Sequence, residues 1–132
     1  MVVAAGNSDR DACNSSPAGQ PDMITVGASD STDTRAYFSN FGSCLDFFAP
    51  GLNITSAWNT GDDETFVASG TSMASPHGAG VAALILANKP FGFTQEEMRA
   101  ELISLATKDL IQDPKEGSPN VLLFSNPPPS KH

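Results

Sequence analysis

The sequence predicts an α/β fold in which short parallel strands pack against a long helix. Three observations carry this expectation. Val2 to Ala5 is a continuous apolar, β-favouring run of the kind buried on both faces of a sheet; four more short runs bounded by Gly, Pro, Asn or Asp follow it; and after Ser72 the pattern switches to helical spacing.

The first strand is closed by Gly6-Asn7. Because a buried parallel strand needs neighbours on both sides, a sequence that opens inside one is expected to be cut short, with flanking strands lying before Met1. Ser8 to Pro21 is rich in Asp, Asn, Ser, Gly and Pro, which favour turns by side-chain-to-backbone bonding or by their φ preferences, and reads as loop. Met23 to Ala28, Leu45 to Ala49, Ile54 to Trp58 and Thr65 to Ala68 read as strands two to five, and no internal repeat relates them. Ser72 to Lys89 is apolar almost all round, the pattern of a helix buried in the centre of a domain, with Pro76 in its first turn, where a missing N–H breaks nothing. Thr94-Gln-Glu-Glu97 forms a capping box, and Met98, Leu102, Leu105 and Ala106 then line one face of a second, amphipathic helix. A short strand, Val121 to Phe124, precedes a proline-rich tail over 126–132, expected to be extended and disordered. Residues 1–125 are thus read as one domain segment.

Fifteen acidic against seven basic side chains give a formal net charge of −8, the wrong sign for neutralising phosphates, so no nucleic-acid partner is expected. The longest mostly apolar run, Val81 to Ala87, is far short of the ~20 residues of a membrane span, so no membrane partner is expected either. No signal peptide is legible at the N-terminus. Cys13 and Cys44 suit either one disulfide in an exported protein or two reduced core thiols, and the sequons Asn14-Ser-Ser16 and Asn53-Ile-Thr55 lean weakly towards export.

Chemistry is concentrated in Gly70-Thr-Ser72-Met-Ala74-Ser-Pro76-His77, which joins a strand to the first helix. A serine at a helix N-terminus, beside a glycine that permits close approach, suits a nucleophile, because the helix dipole and free N–H groups stabilise charge developing on an attacked carbonyl. The competing reading is that Ser72 merely caps the helix.

The full string resembles the segment around the nucleophilic serine of subtilisin-like serine proteases. The resemblance extends to Val2-Val-Ala-Ala-Gly-Asn7, to Ser16-Pro17-Ala18, to Ile24-Thr-Val-Gly-Ala-Ser29, and to Phe38-Ser-Asn-Phe-Gly42 with Asp46-Phe-Phe-Ala-Pro-Gly51, at spacings similar to the proteinase K-like branch. It implies a partial subtilisin-like fold and the C-terminal portion of a serine endopeptidase acting on protein or peptide substrates. Ser72 would be the nucleophile, and Asn7 with the Ser72 N–H would hold the oxyanion. Ala4, Ala5, Gly6, Gly70 and Thr71 would form the pocket before the cleaved bond. Asp46 with the carbonyls of Pro21 and Met23 would bind a structural calcium ion, no cofactor being needed for the chemistry. Cys13 and Cys44 would form a disulfide, and the protein would be secreted.

The resemblance is incomplete. The family's chain order is Asp, His, Ser, and neither Asp-[ST]-Gly nor His-Gly-Thr-His occurs in this sequence. His77 stands five residues after Ser72, a rotation of roughly 140° on a helix, so it reads as a helix-packing histidine, and His132 lies in the tail. Without a general base the isolated chain is expected to be inactive as a peptidase, its function completed by the missing N-terminal half. The alternative is a non-catalytic peptide-binding or decoy module. Gly78 stands where the family carries a larger aliphatic residue, which is expected to loosen the first helix.

Overall fold

The computed structural model of the chain describes residues 1–88 and 92–125. Lys89 and the proline-rich segment 126–132 lie outside the described residues. The apolar runs become β1 (Val2–Ala4), β2 (Ile24–Ser29) and β3 (Phe47–Pro50), which pair in parallel, Val2 against Ile24 and Val26 against Phe47. All six residues of β2 are buried, as its uninterrupted apolar pattern requires. Beyond β3 the sheet continues through β7 (Val121–Leu122, parallel) to β6 (Thr107–Lys108, antiparallel), giving the order β1-β2-β3-β7-β6. Among the described residues β1 is an edge strand, so Val2 and Ala4 are only half-buried.

The adjacent Phe47 and Phe48 are both fully buried, on opposite faces of the sheet. On Phe47's side lie α1 (Thr71–Asn88) and α2 (Gln95–Leu105), and Ile24, Val26, Ala74, Val81, Met98 and Leu102 form the main core. On Phe48's side a single 3-10 turn (Ala12–Asn14) and loops bring Ala12, Ala18, Leu45 and Ile111 against the sheet. Those loops are held by a Cys13–Cys44 disulfide with 5.2 Å between Cα atoms.

Three expectations change. First, α1 is buried on one face only: Ala74, Gly78 and Val81 point at the sheet, whereas Leu84 and Leu86 are 43% and 44% exposed. The all-round apolar pattern therefore leaves an uncovered apolar face among the described residues. Second, the fourth and fifth strands, β4 (Ile54–Ala57) and β5 (Thr65–Ala68), leave the parallel sheet and form an exposed antiparallel hairpin. Third, Gly78 lies against the sheet rather than in a loosely packed stretch of α1: a Cβ there would stand 3.2 Å from both the Phe47 ring and Val2 Cγ1, so a larger residue would need these neighbours to give by a few tenths of an ångström.

The second helix begins as its capping box predicts. The Thr94 hydroxyl accepts from the Glu97 N–H, and the Glu97 carboxylate accepts from the Thr94 N–H.

Candidate functional site

Three segments meet at the N-terminus of α1: the turn after β1, the end of β3 and the Gly70–Ser72 junction. The Gly70 N–H donates to the Gly51 carbonyl at 2.7 Å, docking the junction onto the end of β3. Thr71 is fully buried. Its backbone N–H and its hydroxyl both donate to Asn7 Oδ1, each at 2.8 Å, and its Oγ1 accepts from the Gly6 N–H at 3.1 Å. Since a backbone N–H only donates, the Asn7 atom facing Thr71 must be the carbonyl oxygen, which leaves Nδ2 facing outward.

Ser72 is the second residue of α1 and is exposed. Its hydroxyl makes no hydrogen bond among the described residues. The capping reading therefore fails: Asn7 satisfies the Thr71 N–H, and the Gly70 carbonyl accepts from the N–H groups of Met73 and Ala74. The Ser72 N–H has no partner among the described residues. A Cβ built on Gly70 would stand 3.6 Å from this nitrogen and 3.7 Å from Asn7 Nδ2, so two donors face the space beside Gly70 at the start of α1. Such an arrangement stabilises an oxyanion.

The strand-to-turn geometry at Asn7 depends on Gly6, whose φ of +104° and close approach to Asn40 exclude a side chain; a Cβ there would lie 2.4 Å from Asn40 Nδ2. Asn40 is itself buried and ties down the turn on both sides. Its Nδ2 donates to the Ala5 carbonyl at 2.8 Å, its Oδ1 accepts from the N–H groups of Ser8 and Arg10, and its N–H donates to the Gly6 carbonyl at 2.9 Å. Arg35, with a side chain only 3% exposed, anchors the same region through Asp9 at 2.9 Å and through the carbonyls of Ala36, Ser39 and Asp113. Sequence reasoning assigned no role to Asn40 or Arg35. Asn40 lies inside the quoted Phe38–Gly42 motif, which was its only signal.

Of the expected pocket residues, Ala4 and Gly6 are half-buried, whereas Ala5, Gly70 and Thr71 are buried. Thr71 thus acts on the site through Asn7 rather than by presenting its side chain to a ligand. His77 packs on its own helix as expected, its Nδ1 bonded to the Met73 carbonyl at 2.8 Å. An open apolar groove of about 700 Å³ runs from Ser72 along α1 and is lined by Ile54, Met73, His77, Val81 and Leu84.

Pro21, Met23 and Asp46 do converge, but around the side chain of Arg99. Nη2 donates to the carbonyls of Pro21 at 2.7 Å and Met23 at 2.6 Å, while Nε pairs with Asp46 Oδ1 at 3.1 Å without an aligned hydrogen bond. Asp46 Oδ2 accepts from the Thr25 N–H at 2.7 Å. Burial pushes the Asp46 carboxyl above the usual range, against the Thr25 N–H and the Arg99 cation, which pull it down. With Arg99 in this place calcium does not fit: an ion about 2.3–2.6 Å from both carbonyl oxygens would compete with Nη2 for them and set its charge against the guanidinium.

The model of the subtilase family matches residues 1–121. The chain is 48% identical over 136 residues to cerevisin of Saccharomyces cerevisiae, covering 95% of this chain and 21% of that protein. It is 50% identical over 133 residues to subtilisin-like protease 8 of Trichophyton verrucosum, 27% of which it covers. It is also 51% identical over 125 residues to an extracellular serine proteinase of Thermus sp., 30% of which it covers. The crystal structure of a cold-adapted subtilisin-like serine proteinase superposes with a TM-score of 0.86 at 49% identity, over 95% of this chain and 44% of that one. The chain thus spans between about a fifth and a third of the length of these three relatives.

Proposed function

The chain belongs to the subtilase family, and on that premise we propose that it carries the nucleophile and the oxyanion-binding groups of a secreted serine endopeptidase. The observation that bears most weight is the pairing of an exposed, uncapped Ser72 hydroxyl with two donors, the Ser72 N–H and Asn7 Nδ2, that face the space beside Gly70 at the start of α1. In this reading Ser72 Oγ attacks the carbonyl carbon of a protein or peptide substrate, and its proton passes to a general base. The carbonyl oxygen becomes an oxyanion held by the two donors, the amine leaves with the proton, and water releases the acyl group from Ser72. The segment around Ala4 and Gly6 receives the residue preceding the cleaved bond.

The general base and its carboxylate partner are supplied from outside these 132 residues. His77 is bonded to its own helix, and the family's Asp and His motifs do not occur in the sequence. The apolar groove beside Ser72, the uncovered face of α1 and the open edge of β1 form the surface on which the rest of the peptidase domain packs. Residues 1–125 accordingly make up the C-terminal portion of that domain, and the isolated chain is inactive. Secretion is supported by the disulfide and by the extracellular relative.

The test is a chimera in which residues 1–125 replace the matching segment of the Thermus sp. proteinase. Peptide hydrolysis that disappears in Ser72→Ala is the expected result. A folded chimera whose activity survives Ser72→Ala would overturn the assignment.

A further inference from the structure

We propose that Arg99 is a built-in cation that takes the place of a structural divalent metal at the Pro21, Met23 and Asp46 oxygens, making this part of the fold independent of calcium. The inference takes its ligand set from the family reading above but does not depend on peptidase activity.

Arg99 engages all three groups, at the wall of a cavity of about 260 Å³ that Pro21, Met23, Asp46 and Arg99 line together. Nη2 lies within 2.7 Å of both carbonyl oxygens, close to the separation a calcium ion would keep, and Nε stands against the one carboxylate oxygen left available by Thr25. Calcium takes six to eight oxygens, whereas a planar guanidinium is satisfied by a few oxygens arranged around its edge and carries its charge permanently.

The device extends over one helical turn. Gln95, four residues before Arg99 on α2, donates through Nε2 to the Met1 carbonyl at 3.0 Å and to the Asp22 carbonyl. One face of α2 therefore gathers the carbonyls of residues 1, 21, 22 and 23 and locks the start of β1 to the loop entering β2. A metal would join only the loop and β3; Arg99 also fastens α2 to both. The exchange costs the fold its sensitivity to chelators and links its integrity to one side chain.

The experiment is thermal unfolding of the 132-residue chain in 5 mM CaCl₂ and in 1 mM EDTA, for the wild type, Arg99→Met and the double variant Arg99→Met/Asp46→Asn. The wild type should melt at the same temperature in both buffers. Arg99→Met should melt at least about 5 °C lower in EDTA and regain about 3 °C or more in calcium, a recovery absent from the double variant. A wild type stabilised by calcium, or an Arg99→Met chain indifferent to it, would overturn the proposal. Should Arg99→Met not fold in either buffer, terbium luminescence on the wild type decides: no uptake supports Arg99 as the resident cation, and uptake lost in Asp46→Asn overturns it. Since none of these readouts needs turnover, an inactive chimera would leave the result standing.

Discussion

Thr71 is the residue on which the proposed oxyanion-binding geometry turns, and replacing it with valine isolates the contribution of its hydroxyl. Valine preserves the shape but removes two buried hydrogen bonds, the 2.8 Å donation to Asn7 Oδ1 and the 3.1 Å acceptance from the Gly6 N–H. Asn7 Oδ1 keeps the Thr71 backbone N–H, whereas the Gly6 N–H, half-buried and facing the fully buried Thr71 side chain, is left without its acceptor. One stranded donor and one lost tether should cost about 2 kcal/mol, within the ~1–3 kcal/mol of an unsatisfied buried group. For a domain of this size that is a drop of about 6–10 °C in melting temperature. Thr71→Ser keeps both hydrogen bonds and loses one methyl group, which should cost about 1 kcal/mol. Circular dichroism melts separate the two variants, and amide hydrogen exchange identifies the cause, since exchange at Gly6 should accelerate in Thr71→Val and not in Thr71→Ser. In the active chimera Thr71→Val should also lower kcat about five- to tenfold with KM little changed. A Thr71→Val chain that melts within about 2 °C of wild type, or one no different from Thr71→Ser in Gly6 exchange, would refute the argument.

Asn7→Ala in the same chimera should lower kcat by about 10²–10³, the cost observed in a subtilisin on losing one oxyanion donor, and a loss confined to KM would contradict the role given to Nδ2. Replacing both Cys13 and Cys44 with serine opens a 31-residue loop and should destabilise the chain by about 3–4 kcal/mol on the chain-entropy estimate, read from denaturant midpoints at constant m-value; a change below about 1 kcal/mol would show that the loops hold without it. The Glu97 carboxyl lies below its ordinary range because the Thr94 N–H and hydroxyl bond its ionised form. A depressed folded pKa contributes stability above the unfolded value that fades as pH falls through the folded one, so acidification from about 5 to 3 should weaken the wild type more than Glu97→Gln, and parallel pH profiles would refute this.

Much of the fold is legible because its signals are local. The apolar runs of β2 and β3 and the capping box at Thr94 declare themselves in a few consecutive residues. Ser72 and Asn7 were legible through motifs that record a family's chemistry rather than any physical pattern a window of residues contains. What escaped depends on partners distant in sequence. The exposed face of α1 has the composition of a buried helix, and only the sheet's position shows which side is covered. Gly78 looks like a weakness until Phe47, 31 positions earlier, is placed against it. Arg99 sits on α2 at a position that reads as solvent-facing, yet it reaches carbonyls more than seventy residues away. Asn40 and Arg35 belong to loop sequence whose hydrogen bonds exist only once β1 and the later loops have come together.

The central claim is that this chain holds a nucleophile and its oxyanion donors but not the base that activates the serine. Fluorophosphonate labelling tests it directly, because the reagent reports an activated serine rather than an exposed one. The folded 132-residue chain should show no labelling above its Ser72→Ala control, while the chimera should label stoichiometrically at Ser72. Labelling of the isolated chain at Ser72 would mean that a base is assembled within these residues, and a folded, unlabelled chimera would mean that Ser72 is not the nucleophile.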